Sequence, residues 1–147
     1  MKEILVMRHG DAARRAATDA ERPLTDRGRE EVAANAAHLP ADIDLFLVSP
    51  YVRAQQTAAI AAEIAKIGVN SETLDLITPS GIPRHVDEWL QSRDWCKALL
   101  VAHQPFVGQF VEYLTEGSCY NFPTAGIVSV TLETLGRGMG RYTWLTR

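Results

Sequence analysis

The sequence has few cysteines, no large excess of either charge and no long apolar run. Only two of its 147 residues are cysteine, Cys96 and Cys119, and they form no CxxC pair. A disulfide framework is therefore not expected. No apolar stretch has the length of a membrane-spanning helix, and the apolar run after Lys2 is too short for a signal peptide. We therefore expect a cytoplasmic protein without a membrane partner.

Charge and length narrow the class of protein further. The formal net charge is −3 and the sequence pI is about 5.8. Nucleic acid is therefore not expected as the main partner, because binding to phosphate backbones requires an excess of basic residues. With 147 residues, of which 46% are hydrophobic, the chain is long enough to bury a sizeable core. We assign residues 1–147 to a single domain.

The first ten residues carry the most informative pattern in the chain. The apolar run at residues 3–7 predicts a buried strand, which stops at Arg8, His9, Gly10 and Asp11. In open α/β sheets, ligands bind at the carboxyl ends of the strands. An arginine offers a planar fork for phosphate oxygens, and a neutral imidazole is a nucleophile near pH 7. This strand end therefore predicts a phosphate-binding site.

Two later strands end in similar chemistry. The segment 43–48 predicts a strand that runs into Ser49, which we predict to be the N-cap of a helix carrying Arg53 in its first turn. The segment 96–102 predicts a buried strand that ends at His103. Because the carboxyl ends of parallel strands lie at one edge of a sheet, two arginines and two imidazoles are expected to converge there.

The rest of the pattern predicts a layered α/β fold. Four helices are predicted: one after an N-cap at Thr25, one from Tyr51, one at 83–91 and one from Pro105. The helix from Tyr51 is expected to bury a stripe of three isoleucines, Ile60, Ile64 and Ile67, and to end at Gly68. A short extended segment is predicted at 72–77. The last two strands, 126–132 and 141–146, are too close for a helical crossover and should pair antiparallel. Together, these elements predict a three-layer αβα sandwich on a mostly parallel central sheet with an antiparallel C-terminal hairpin.

The expected cluster of arginines and histidines suits a phosphate dianion. The arginines would neutralise the phosphoryl oxygens while one imidazole attacks phosphorus. A cysteine phosphatase needs an arginine six residues after its cysteine, but Cys96 leads to Ala102 and Cys119 leads to Ala125. No HExxH motif or paired Cys and His spacing predicts zinc. We therefore expect no metal and no other cofactor.

Three spaced motifs together resemble the histidine phosphatase superfamily, which has the phosphoglycerate mutase-like fold. These motifs are Met7-Arg8-His9-Gly10, Ser49-Pro50-Tyr51-Val52-Arg53-Ala54-Gln55-Gln56-Thr57-Ala58 and Val101-Ala102-His103. The resemblance covers nearly the whole chain. It is strongest to the small SixA-type branch of protein-histidine phosphatases, in Arg8-His9-Gly10-Asp11-Ala12, Arg22-Pro23-Leu24-Thr25 and Thr78-Pro79-Ser80-Gly81.

The resemblance implies a role for each matching residue. It implies that His9 is the nucleophile that becomes transiently phosphorylated, and that Arg8 and Arg53 bind the phosphate. His103 matches the second imidazole, which is hydrogen-bonded to a phosphate oxygen. Arg22 matches an additional phosphate-binding arginine of the SixA-type branch. The resemblance thus implies a metal-independent phosphohydrolase.

The sequence departs from the larger members of the superfamily at one position. Those members carry a glutamate general acid, whereas the corresponding stretch 74–78 holds only Asp75, which does not align with that role. Asp11 and Asp19 are the candidate proton donors. An imidazole leaves more readily than an alkoxide, so we expect the substrate to be phosphohistidine on a partner protein, such as a phosphorelay or phosphotransferase-system carrier. Two alternatives remain open: a phosphatase of a small phosphomonoester metabolite, and a non-catalytic module that binds a phosphorylated protein.

Overall fold

The computed structural model describes residues 1–118 and 121–146, so the expectation for Cys119 lies outside the described residues. The strands are β1 (Lys2–Arg8), β2 (Leu45–Val48), β3 (Ser71–Thr73), β4 (Lys97–Ala102), β5 (Ile127–Leu132) and β6 (Gly140–Thr146). The helices are α1 (Asp26–Ala36), α2 (Val52–Ala65), α3 (Pro83–Gln91) and α4 (Phe106–Thr115), with short 3-10 turns at Asp19–Glu21 and Asp75–Ile77. Over the described residues, none of these helices is both long enough and apolar enough to cross a membrane.

The six strands form one mixed sheet in the order β3-β2-β4-β1-β5-β6. The first four strands in this order are parallel, whereas β5 runs antiparallel to both β1 and β6. The predicted mostly parallel sheet with an antiparallel C-terminal pair is thereby confirmed. In the register, Arg8 lies beside Ala102, and Val48 lies beside Val101. The three strand ends that carry the predicted site therefore meet at one edge.

Side-chain alternation along β1 explains the three layers. Ile4 and Val6 pack with buried residues of α3 and α4, whereas Leu5 and Met7 pack with those of α1 and α2. All four side chains are completely buried. Because successive side chains of a strand point to opposite faces, one central strand anchors both helical layers. The predicted αβα sandwich is confirmed.

The buried face of α2 differs from the prediction. Ile64 is 42% exposed, whereas Ile60 and Ile67 are partly buried and pack against the core. The buried residues of this helix are Arg53, Ala54, Thr57, Ala58, Ala61 and Ala65. Mostly small side chains on this face let the helix pack closely against α1 and the sheet, which bulky isoleucines would prevent. The helix also ends earlier than predicted, because Lys66 adopts the left-handed conformation with φ 56° and Gly68 lies beyond the end.

Close packing of α1 fixes the loop that follows β1. A side-chain Cβ at Gly10 would lie 2.8 Å from the carbonyl oxygen of Gly28, and one at Gly28 would lie 2.1 Å from that of Asp11. Thr25 is the N-cap of α1, as predicted, since its Oγ1 accepts a hydrogen bond from the Gly28 backbone N–H at 3.0 Å. The two glycines therefore let the helix backbone touch the loop beside the predicted site.

Candidate active site

The structure brings three of the predicted site residues into one buried group. The ring centroids of His9 and His103 are 5.1 Å apart, and Arg53 Nε lies 3.2 Å from His9 Nε2. These three residues are 7%, 1% and 3% exposed, respectively. They come from the end of β1, the end of β4 and the first turn of α2, so the parallel arrangement of three strands assembles the group.

Hydrogen bonding defines which nitrogen of His9 carries the proton. His9 Nδ1 lies 2.7 Å from the Gly10 carbonyl oxygen. A carbonyl oxygen can only accept, so the neutral ring has its proton on Nδ1. The lone pair is therefore on Nε2, where it accepts a hydrogen bond from Arg53 Nε. This Nε2 atom is the one able to act as a nucleophile.

The surroundings keep both imidazoles neutral at pH 7. Burial lowers the pKa of His9 to about 4, with further lowering by the positive charges of Arg53 and Arg8. Burial also lowers the pKa of His103 to about 3, and the neighbouring His9 adds to this effect. A neutral His9 has a lone pair available, which nucleophilic attack on phosphorus requires.

Asp19 connects the two arginines that approach the site from different elements. Arg53 donates from Nη1 to the Asp19 carbonyl oxygen at 2.7 Å and from Nη2 to its carboxylate at 3.2 Å. Arg22 donates from Nε to the same carboxylate at 2.9 Å and from Nη1 to the Ala13 carbonyl oxygen at 2.9 Å. The hydrogen bond from Arg22, together with the charge of Arg53, lowers the pKa of Asp19. Asp19 is therefore ionised and orients both guanidinium groups.

Arg8 is placed by the segment that precedes β5. Its Nη1 donates to the Phe122 carbonyl oxygen at 2.7 Å, while its buried Nε has no hydrogen-bond partner among residues 1–118 and 121–146. The Glu31 carboxylate of α1 connects the loop after β1 to the same segment, because it accepts hydrogen bonds from the Asp11 backbone N–H at 2.8 Å and from Thr124 Oγ1 at 3.0 Å. A buried N–H without a partner is a donor available to a bound anion.

The candidate proton donors occupy different surroundings. The Asp11 carboxylate accepts a hydrogen bond from Thr25 Oγ1 at 2.7 Å, so it is held by the N-cap of α1. Asp19 contacts Arg53 directly. Asp75 is exposed within the short 3-10 turn at Asp75–Ile77. Asp19 is thus the carboxylate that the structure places beside the group of His9, Arg53 and His103.

Sequence analysis did not assign a site role to Ser49 or Tyr51. Ser49 is fully buried, and its Oγ lies 2.7 Å from His103 Nε2. The Tyr51 ring packs edge-on against His103 at a centroid distance of 4.9 Å, and the guanidinium carbon of Arg53 lies 4.9 Å from the centre of the Tyr51 ring. The prediction that Ser49 is the N-cap of α2 is wrong, since that position is Tyr51.

Thr57 is a further residue of the same segment that sequence analysis left without a role. Its Oγ1 accepts a hydrogen bond from the Gly10 backbone N–H at 3.1 Å and donates to the Arg53 carbonyl oxygen at 2.8 Å. It therefore joins the first turn of α2 to the loop after β1. Both Ser49 and Thr57 lie inside the second of the three motifs, and this was the available sequence signal.

An open cavity of about 480 Å³ adjoins Asp19 and Arg22 and is otherwise lined by residues 14–18. Arg14 and Arg15 are exposed along it and form no ion pair within the described part of the chain. A second cavity of about 510 Å³ lies between α3 and the end of α4 and contains none of the predicted site residues. Among residues 1–118 and 121–146, no three His, Cys, Asp or Glu side chains are grouped to hold a metal ion.

This fold and site place the chain in a known class of phosphatases. The family model of the histidine phosphatase superfamily (branch 1) matches residues 4–75. The chain is 36% identical over 143 residues to the phosphohistidine phosphatase SixA of Escherichia coli strain K12, covering 92% of this chain and 89% of that protein. The chain therefore belongs to the histidine phosphatase superfamily, and the resemblance found in the sequence is confirmed.

Two further comparisons agree with this membership. The chain is 32% identical over 124 residues to a phosphohistidine phosphatase SixA homolog of Haemophilus influenzae, covering 76% of each protein. Its structure matches that of the protein histidine phosphatase SixA complexed with tungstate, with a TM-score of 0.87 and 34% identity. That match covers 97% of this chain and 94% of the other. The predicted phosphoglycerate mutase-like fold is confirmed.

Proposed function

We propose that this protein removes phosphate from phosphohistidine on a partner protein, through a phosphorylated His9. The observation that carries the proposal is the state of His9 Nε2, which is unprotonated, buried and adjacent to Arg53. Two similar proteins, from Escherichia coli and Haemophilus influenzae, are a phosphohistidine phosphatase and a homolog of it. Their names agree with the substrate class that the leaving-group argument favours.

In the first step, the lone pair of His9 Nε2 forms a bond to phosphorus. The bond between phosphorus and the partner's imidazole nitrogen breaks, and that nitrogen keeps the electron pair; because the other nitrogen of that ring already carries a proton, the group leaves as neutral imidazole. Arg8, Arg22 and Arg53 bind the phosphoryl oxygens, and His103 donates a hydrogen bond to one of them. Because one imidazole replaces another, the transfer is nearly symmetric in energy and needs little assistance from a strong acid.

In the second step, water attacks the phosphorylated His9. A phosphorus–oxygen bond forms, the bond from His9 Nε2 to phosphorus breaks, and inorganic phosphate is released. Of the two carboxylates predicted as possible proton donors, Asp19 is the one we place beside this water, because the Asp11 carboxylate is held by Thr25. The lowered pKa of Asp19 makes it a carboxylate at rest. It therefore enters the reaction as the acceptor of a proton from water.

The surroundings of the site favour a protein substrate. Arg14 and Arg15 are exposed along the open cavity beside Asp19 and Arg22. Exposed arginines without ion-pair partners favour contact with an acidic surface around the phosphohistidine. Carriers of phosphorelays and of the phosphotransferase system are the substrates we expect, so we place the reaction in the cytoplasm, with no nucleic-acid or membrane partner.

The test compares rates on matched substrates. We expect kcat/KM on a phosphohistidine protein to exceed that on simple phosphomonoesters, such as p-nitrophenyl phosphate and sugar phosphates, by more than about tenfold, because the alkoxide leaving groups need a general acid. Equal or reversed ratios would favour the small-metabolite alternative. Tight binding of the phosphorylated protein without release of phosphate would favour the non-catalytic module.

A further inference from the structure

His103 has two ring nitrogens in very different surroundings. Its Nε2 lies 2.7 Å from Ser49 Oγ, whereas its buried Nδ1 has no hydrogen-bond partner within the described residues. The whole residue is 1% exposed. A neutral imidazole carries one proton, on one nitrogen or the other. The position of that proton decides whether His103 can donate a hydrogen bond from Nδ1.

The hydrogen bonds of Ser49 indicate where the proton lies. Ser49 is completely buried, and its Oγ already accepts a hydrogen bond from the Tyr51 backbone N–H at 3.3 Å. Among residues 1–118 and 121–146, His103 Nε2 is the acceptor within reach of its hydroxyl proton. If Nε2 were protonated, two donors would face each other and the buried hydroxyl would lack an acceptor, at a cost of about 1–3 kcal/mol. Donation from Ser49 to Nε2 avoids this cost.

We propose that Ser49 is a positioning residue that holds neutral His103 with its proton on Nδ1, so that this nitrogen donates to a phosphoryl oxygen beside His9. This inference rests on the proposed function for the identity of the bound group. This explains why the buried Nδ1 has no hydrogen-bond partner within the described residues: its acceptor is an oxygen of the substrate. The 5.1 Å separation of the ring centroids places the His103 imidazole next to that of His9.

A hydroxyl group suits this position better than a fixed donor or a fixed acceptor. If the negative charge of the bound phosphoryl group raises the pKa of His103 enough for the ring to take up a proton from water, that proton lies on Nε2, which must then donate a hydrogen bond. The Ser49 hydroxyl can rotate and accept that hydrogen bond, because its oxygen carries two lone pairs. Both charge states of His103 are therefore accommodated, with Nδ1 protonated in each. An amide N–H or a carbonyl oxygen would satisfy only one of them.

The tautomer is measured directly by ¹⁵N NMR of the full-length protein labelled at its histidine rings. At pH 7 and without any ligand, we expect the signal of His103 Nδ1 to be of the protonated type and that of Nε2 to be of the unprotonated type. Tungstate serves as the phosphate analogue and should shift the Nδ1 signal. A wild-type protein with His103 protonated on Nε2 would overturn the inference, and this result needs neither turnover nor a variant.

Variants supply the kinetic arm of the same experiment. Ser49→Ala should populate the other tautomer and lower kcat on a phosphohistidine peptide by about tenfold, the effect of losing one fixed donor. Ser49→Thr keeps the hydroxyl and should retain both the tautomer and most of the rate. An unchanged tautomer and rate in Ser49→Ala would refute the role of Ser49. Absence of turnover by the wild-type protein, with the expected tautomer present, would count against the proposed function instead.

Discussion

Arg53 Nε donates a hydrogen bond to His9 Nε2 across 3.2 Å, so the lone pair of the nucleophile is engaged before any substrate binds. The positive charge of Arg53 also disfavours a proton at that atom, which is one reason for the low pKa of His9. In the proposed reaction, we expect an incoming phosphoryl group to replace this contact, so that the Nε–H of Arg53 then faces a phosphoryl oxygen. Arg53 would then contact His9 before the substrate binds and the phosphate afterwards.

The identity of the nucleophile is tested by trapping the intermediate. Rapid quenching during turnover should leave phosphate on His9, in a linkage that is stable to base and labile to acid. His9→Ala should abolish the adduct and lower kcat by at least about 10³-fold, because the attacking atom is lost. His38→Ala, at an exposed position outside the site, is the matched control. Wild-type activity in His9→Ala would refute the assignment.

The state of His9 is tested by its titration. Burial and nearby arginines lower its pKa to about 4, so NMR should show a neutral ring from pH 7 down to about pH 5 and protonation only below that. Because only the neutral ring attacks, kcat/KM should hold over the same range and fall as the pH drops through about 4. The ordinary imidazole value is about 6.5.

A substitution at Arg53 checks the cause of that low pKa. Arg53→Gln removes one positive charge beside Nε2, so protonation becomes easier and the pKa of His9 should rise. The rise should stop short of the ordinary value, since burial is the largest cause of the shift. A His9 ring that titrates at or above the ordinary value in the wild-type protein would contradict this picture.

The role of Asp19 is tested by changing the leaving group. If Asp19 orients Arg22 and Arg53 and accepts the proton of the attacking water, Asp19→Asn should raise KM severalfold and lower kcat for phosphohistidine and alkyl phosphate substrates alike. A proton donor would instead be needed most by the alkoxide leaving group, so its loss would fall mainly on kcat for phosphomonoesters. Asp11→Asn is the comparison variant, because that carboxylate is held by Thr25.

The role of Arg14 and Arg15 in binding the partner protein is tested by charge reversal. The double variant with Arg14→Glu and Arg15→Glu should have about tenfold lower kcat/KM on a phosphohistidine peptide flanked by glutamates. The loss should be much smaller on a peptide flanked by glutamines. The effect should shrink at high salt. Arg141→Glu is the control. Arg141 is exposed and lies beside Thr131, which in turn lies beside Glu3 near the start of β1. It is therefore at the end of the sheet opposite to His9. An equal loss on both peptides would mean that the two arginines bind the phosphate itself.

Metal independence is tested by chelation. The proposed phosphate-binding group consists of arginines and imidazoles rather than the oxygen ligands that Mg²⁺ and Ca²⁺ require. We therefore expect EDTA to leave kcat within about twofold of its starting value, whereas orthovanadate or tungstate, as phosphate analogues, should inhibit. Complete loss with EDTA that is restored by a divalent cation would contradict the proposed mechanism.

Local sequence signals were sufficient to predict most of the elements and the central residues of the site. The apolar run before Arg8 and the run before His103 mark buried strands, and Thr25 caps α1 as expected. These predictions succeed because strand burial and helix capping depend on residues that are close together along the chain. The convergence of His9 and His103 follows from one further rule, that parallel strands end at the same edge.

Other features were decided only by the tertiary structure. The predicted isoleucines have helical spacing, but the approach of α1 selects the alanine face of α2 for burial and leaves Ile64 exposed. Asp19 reaches Arg53 across 34 residues of sequence, and Ser49 reaches His103 across 54. Hydrogen bonds of this kind depend on strand order and loop path, which no local pattern specifies. The sequence by itself determined which chemical groups the site contains, whereas the fold determined the tautomer of His9, the orientation of the arginines and the partner of His103.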